Sequence, residues 1–316
     1  MQPIPPPVVP LEELYRERNQ LRRAVLAPNT QKNYAVDWRM FGAWCERAGL
    51  ACLPATADTV TLYLTDLLRS GRKVSTAIRR TSGIGDGHRQ AGLPSPITAD
   101  VWQLIDGARR QRREQPKRMT ALTVDDVRKI SCVLADDGSR RALRDRSLIV
   151  LGFASALRRC NLAQLTMEDV AFQQDGLVLR IRAEKQDQRG RGRTLAIPCG
   201  QHVETCPVTC LRDWLEKRGS GPGPLYTRVR TGHADQPLSG ATVGRAVKLA
   251  VQRIGLDPKH YAGHSLRSGL ITAAAEAGAS ELLIAAHTGH RSLQTLQRYF
   301  RRTDLFRSNV CAAIGL

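Results

Sequence analysis

The 316-residue sequence predicts a mainly helical protein of two domains, with one small antiparallel sheet confined to the second. Three observations carry that expectation. Up to about residue 110, apolar residues recur at three- and four-residue steps, with no useful stretch of period-two alternation. One short region, 170–198, does alternate. Between them runs Arg109-Arg110-Gln111-Arg112-Arg113-Glu114-Gln115-Pro116-Lys117-Arg118, almost devoid of apolar side chains and broken by proline, which suits an exposed linker. The divisions that follow are a leader at 1–10, a helical domain at 11–110, a linker at 111–120 and a second domain at 121–316.

Leu11 to Leu26 is amphipathic and Pro28 ends it. Asn29 or Thr30 is placed to cap the next helix, Gln31 to Arg47, whose Tyr34, Trp38, Phe41 and Cys45 share a face and which stops at Gly49. Asp58 to Arg69 follows, with Val60, Leu64, Leu67 and Leu68 on one side and Gly71 as its stop. Val74 to Ala91 is a fourth helix, weakened by Gly83, Gly85 and Gly87, and Ala99 to Arg113 a fifth. In the second domain, Thr123-Val124-Asp125-Asp126 reads as a helix start, and Arg146 to Leu157 as a largely apolar helix ending near Arg158. Strands are expected at Val170 to Phe172, Gly176 to Ala183 and Thr194 to Pro198. Leu177, Leu179 and Ile181 alternate there with Val178, Arg180 and Arg182. Beyond Leu211 the pattern is helical again, interrupted by the Gly/Pro cluster from Gly219 to Pro224.

Lys and Arg total 48 against 29 Asp and Glu, a formal charge of +19. The excess is shared: 17 basic against 11 acidic residues up to 115, and 31 against 18 from 116 onward. Such a balance points to a polyanionic partner, nucleic acid or an anionic membrane surface. No stretch approaches the roughly 20 apolar residues that cross a bilayer. The opening Met1-Gln-Pro-Ile-Pro-Pro-Pro lacks a basic-plus-apolar leader, so the eight cysteines read as reduced thiols of a cytoplasmic protein. Cys199, His202, Cys206 and Cys210 have spacings that a zinc site uses, but the set is compressed and lacks a second paired-cysteine motif. It reads instead as a loop leading into a helix, and no metal is expected.

The most informative residues lie near the C-terminus: Gly263-His264-Ser265-Leu266-Arg267, then Thr288-Gly289-His290-Arg291, then Gln297-Arg298-Tyr299-Phe300. His264 and Arg267 are three apart and share a helix face. Arginine offers a planar fork of donors matched to phosphate oxygens. Histidine exchanges a proton near neutrality, and a tyrosine hydroxyl becomes a nucleophile when cations favour its phenolate. Together they describe attack by Tyr299 on a phosphodiester whose developing charge is held by arginines rather than by metal ions.

With these motifs the chain resembles the tyrosine recombinases of the phage integrase family over essentially everything after the proline leader. Ala156-Leu157-Arg158-Arg159-Cys160-Asn161-Leu162 stands where the family carries Gly-Leu-Arg-x-x-Glu-Leu, and Lys185 in Ala183-Glu184-Lys185-Gln186-Asp187 matches its hairpin lysine. The resemblance implies a core-binding (SAM-like) helical domain and an α+β catalytic domain that close on DNA as a C-shaped clamp. It implies that Arg158 and Arg267 hold the scissile phosphate, that Lys185 protonates the leaving 5′-oxygen, and that His264 assists proton transfer with the nucleophile. His290 would donate a hydrogen bond to the phosphate, and Tyr299 would form a 3′-phosphotyrosine without any cofactor. Asn161 replaces the usual acidic buttress, offering an amide but no charge. Arg79, Arg80, Arg109, Arg110, Lys117, Arg118, Arg189, Arg191 and Arg193 are candidate DNA contacts. The implied partner is double-stranded DNA with inverted-repeat sites in a bacterial or phage nucleoid. The implied assembly is a dimer on each site and a tetramer in the synapse, linked through the apolar tail at 303–316, although that tail could also fold back on its own core. A catalytically inactive DNA-binding regulator and a type IB topoisomerase-like relaxing activity are the competing readings.

Overall fold

The computed structural model describes residues 9–24, 26–114, 119–182, 192–229 and 236–290, together with 292, 294, 296 and 299. The chain divides into two compact units, 1–116 and 117–316.

The first unit is helical: α1 (Leu11–Ala24), α2 (Pro28–Ala48), α3 (Ala57–Arg69), α4 (Val74–Gln90) and α5 (Ala99–Arg112). Neither Asn29 nor Thr30 caps α2. The helix begins at Pro28 with Ala27 at the cap, without a side-chain hydrogen bond. Proline lacks the N–H that a first turn leaves unsatisfied and its φ is already helical, so it starts this helix as well as stopping the previous one. Gly49 closes α2 in the left-handed region at φ 68°. Phe41, Val60, Leu64, Ile84, Val101 and Ile105, fully buried, form the core.

The glycines do not break α4, and two of them, Gly83 and Gly87, are a packing requirement. A Cβ on Gly83 would lie 2.7 Å from Cβ of Asp37, and one on Gly87 2.4 Å from Cε3 of Trp38. Four residues apart, they open one face of α4 to α2. The Trp38 indole is held against Phe41 and edge-on to His88, with ring centroids 6.0 and 5.7 Å away, so it has little room to retreat. Gly87→Ala is therefore expected to destabilise the first unit by about 1–3 kcal/mol, overpacking outweighing the better helix propensity of alanine. Urea unfolding checks this; a neutral or stabilised variant would mean that α2 yields.

The second unit opens with α6 (Val124–Asp137), started by a reciprocal capping box between Thr123 and Asp126. Next comes α7 (Arg140–Ser155), capped by Ser139 and begun six residues before the expected Arg146, because its charged first turn hides the start from an apolar pattern. Leu148, Ile149 and Leu151 make α7 the axis of the larger core. α8 (Arg159–Gln164) leads to an antiparallel meander of β1 (Val170–Gln173), β2 (Gly176–Ile181) and β3 (Arg193–Pro198). Leu179 faces Val170 on one side and Leu195 on the other. Leu177, Leu179 and Ile181 point into the core, Arg180 out and Val178 half-way. β2 ends at Ile181, and Ala183, expected within it, lies outside the described residues.

α9 (Pro207–Arg218), α10 (Gly240–Arg253), α11 (His264–Glu276) and α12 (Glu281–Thr288) complete the described elements. Between α9 and α10 the described backbone is not helical but makes isolated bridges, Thr166 with Pro224 and Thr227 with Pro237. Cys206 caps α9 and Cys210 is fully buried within it. Among the described residues, no three His, Cys, Asp or Glu side chains gather as a metal site, and no helix is long and apolar enough to cross a membrane.

Candidate active site

Three turns of backbone bring distant residues together. The first is at Ala156, which follows α7 in the left-handed region at φ 48° without being glycine. This bend ends α7, and two residues later Arg158 sits half-buried at the cap of α8. The bend also exposes the Ala156 carbonyl, which accepts a 2.6 Å hydrogen bond from Nη1 of Arg267. Arg267 is only 2% exposed on α11, so this bond fixes a guanidinium deep in the unit.

The second turn is the start of α11, where His264 is the first helical residue, one turn before Arg267. The third closes α12. Gly289 adopts φ 69°, and the N–H groups of Gly289 and His290 both bond the Ala285 carbonyl at 2.8 and 3.1 Å. His290 is thereby returned over the helix end. Its Nε2 and Nδ1 lie 3.1 and 3.2 Å from Nη2 of Arg267, and its Nδ1 lies 2.6 Å from Oγ1 of Thr288. α12 is itself pinned on both sides. Nε2 of His287 donates to the Ala154 carbonyl at 2.8 Å, and the His287 carbonyl accepts from Nη1 of Arg193 at 2.9 Å.

Tyr299 is helical and half-buried, packed on a small core of Ile271, Ile284, Ala285 and Leu296. Its phenolic oxygen is 3.4 Å from Nε2 of His264. The nucleophile candidate and the arginine–histidine cluster thus share one site within the second unit.

The electrostatics follow from the crowding of cations. Desolvation, then Arg267 and Arg158, hold His264 below the ordinary imidazole range. Burial, followed by Arg267, Arg158, His264 and Arg193, pushes His290 down to about 4. Both imidazoles are therefore neutral at working pH, and the positive charge resides on guanidinium groups that stay ionised. Such a pocket is built for an anion, and a bound anion raises the proton affinity of both rings.

Of the residues expected from sequence, Arg158, His264, Arg267, His290 and Tyr299 converge here. Asn161, 7% exposed, lies on α8 just beyond Arg158 and accepts from the Cys160 thiol at 3.2 Å. Lys185, Arg189, Arg191, Lys117, Arg118 and the apolar tail at 303–316 lie outside the described residues. Arg193 supports α12 instead of standing free at the surface. The DNA-contact candidates of the first unit divide. Arg80 is buried, with Nη1 3.1 Å from Oδ1 of the fully buried Asp37, and so belongs to the α2–α4 packing. Arg79 also pairs with Asp37, but its side chain remains 42% exposed. Arg109 is exposed and bonded to Asp106 at 2.7 Å, and Arg110 is exposed. Sequence reasoning missed His287, Thr288 and the Ala156 carbonyl. A hydroxyl two residues before a histidine carries no signal of its own, and a main-chain acceptor carries none at all.

The sequence profile described as the phage integrase family matches residues 120–305. An integrase/recombinase xerD homolog of Selenomonas ruminantium is 34% identical over 289 residues, covering 90% of this chain and 84% of its own. The tyrosine recombinase XerD of Bifidobacterium longum is 26% identical, covering 87% of each. Among solved structures, a lambda integrase (75–356) dimer bound to a COC′ core site superposes with a TM-score of 0.60 at 23% identity, covering 93% of this chain and 95% of that one. The Tn1549 transposon integrase in complex with transposon right end DNA gives 0.64 at 16% identity, covering 94% and 98%. With the arginines, histidines and tyrosine gathered together, the family profile matching residues 120–305, and a relative 34% identical along nine-tenths of this chain, the chain belongs to the phage integrase family.

Proposed function

We infer that the protein is a site-specific DNA recombinase, which cleaves and rejoins DNA strands through a 3′-phosphotyrosine bond. The observation that carries this reading is the approach of the Tyr299 phenol to Nε2 of His264 beside the Arg267–His290 pair. Neutral His264 takes the phenolic proton as Tyr299 attacks phosphorus. Arg158 and Arg267 neutralise the charge that builds on the non-bridging oxygens, and His290 donates to one of them once the charge of the bound phosphate has drawn a second proton onto the ring from solvent. The P–O5′ bond breaks and the departing oxygen takes a proton from Lys185, a role resting on the hairpin match alone. Lysine suits it because an arginine does not release its proton. The new phosphodiester conserves the energy of the old one, so a 5′-hydroxyl from another strand reverses the chemistry and seals the exchange.

The substrate is duplex DNA with inverted-repeat sites, bound by a dimer per site and recombined in a tetramer whose subunits exchange the tail at 303–316. Related structures support that assembly: one holds a lambda integrase tetramer on a Holliday junction. The setting is the bacterial or phage cytoplasm, with the protein associated with the nucleoid. The test is a duplex nicked beside the scissile phosphate, so that the short released strand diffuses away. A recombinase accumulates as a denaturant-resistant protein–DNA adduct mapping to Tyr299. Binding without any adduct would assign the protein to the class of DNA-binding regulators instead.

A further inference from the structure

Thr288 lies at the end of α12, fully buried, with two contacts of 2.6 Å to its hydroxyl oxygen. One contact is the Ile284 carbonyl, which can only accept. The other is Nδ1 of His290, which donates or accepts according to its tautomer. A hydroxyl has one proton. Both contacts are hydrogen bonds only if Thr288 donates to Ile284 and Nδ1–H of His290 donates to Thr288. The opposite assignment would press two acceptors together at the Ile284 carbonyl.

Arg267 does not make this choice. Its Nη2 stands 3.1 Å from Nε2 and 3.2 Å from Nδ1, so it finds an acceptor on the ring in either tautomer. We propose that Thr288 is the positioning residue that holds His290 in the Nδ1–H tautomer, leaving Nε2 unprotonated toward the arginine cluster until an anion binds. The idea rests on the recombinase reading for its consequence but not for its geometry. Phosphate binding then does two things at once. It draws Arg267 toward a new acceptor and supplies the negative charge that lets Nε2 take up a proton and donate. Among the described residues, the charged and titratable groups that act on His290 are Arg267 and His264 on α11, Arg158 at the cap of α8, and Arg193 on β3.

Thr288→Val keeps the shape and removes the acceptor. An Nδ1–H would then be left without its partner, so the ring should change to the Nε2–H form, with Arg267 donating to Nδ1 instead. Thr288→Ser keeps the hydroxyl and should behave as wild type. The tautomer is read from nitrogen NMR of histidine-labelled full-length protein without DNA, with the His290 signal assigned by its loss in His290→Asn. The expected result is Nδ1–H in wild type and Thr288→Ser, and Nε2–H in Thr288→Val. A wild-type signal from the Nε2–H form overturns the proposal whether or not the protein recombines DNA. A Thr288→Val signal still in the Nδ1–H form overturns Thr288 as its cause.

The second readout is single-turnover cleavage of the nicked duplex against pH. Because the neutral ring of Thr288→Val already carries a proton on Nε2, the alkaline fall in rate should move to higher pH than in wild type and Thr288→Ser. An unmoved profile with a changed tautomer would remove the catalytic consequence. Absence of cleavage by wild type would count against the recombinase reading and leave the tautomer result standing.

Discussion

Replacing Tyr299 with phenylalanine is expected to eliminate covalent attachment to the nicked duplex, lowering the rate by at least ~10⁴-fold. The substitution is narrow. The ring still packs on Ile271, Ile284, Ala285 and Leu296, so the fold and the arginine cluster stay in place. What disappears is the one oxygen 3.4 Å from Nε2 of His264. DNA binding, measured by gel shift, should change by no more than about twofold, because phosphate contacts dominate affinity. A denaturant-resistant adduct persisting in Tyr299→Phe would hand the attack to another residue.

The next largest effect is expected from Arg267→Lys, which keeps the charge. Arg267 works in two directions from a nearly closed position: Nη1 holds the Ala156 carbonyl and Nη2 meets His290. A lysine presents one compact ammonium at the end of a flexible stem and cannot reproduce the planar fork. If it takes the carbonyl, the phosphate loses its clamp; if it turns to the phosphate, a buried carbonyl loses its donor. The expected loss is about 10²–10³-fold in single-turnover cleavage, as for removing one donor from a site of developing charge. A stability cost of about 1–3 kcal/mol in urea unfolding should accompany it. Cleavage within a few-fold of wild type would mean that the guanidinium shape is unimportant and that Arg158 carries the clamp alone.

The residues of the candidate site are the most legible part of this molecule, because His264, Arg267, His290 and Tyr299 are chemically distinctive and stand at spacings that short helices bring together. Buried faces are legible for a similar reason: Phe41 and Cys45 on a helix, or Leu177 and Leu179 on a strand, repeat with the period of their element. What stayed hidden is what depends on contact with another segment. Gly83 and Gly87 of α4 count against a helix on intrinsic propensity, and only their contacts with Asp37 and the ring of Trp38 on α2 explain why they are there. Pro28 read as a stop because its role as a start depends on where the following backbone turns. Arg80 has the sequence signature of a surface cation, and only its pairing with Asp37, more than forty residues earlier, accounts for its burial. Thr288 and Ala156 act through one hydroxyl and one carbonyl, groups common throughout the chain, so neither announces itself.

The anchoring of Arg267 by a main-chain oxygen has a bearing on how strongly the site attracts its substrate. A carboxylate at that nitrogen would orient the side chain but cancel much of its field. The Ala156 carbonyl, turned inward at φ 48°, orients it as a dipole and carries no net charge. The tight elbow costs about 1–3 kcal/mol of conformational strain. In return, this bond orients the guanidinium without itself offsetting any of its charge.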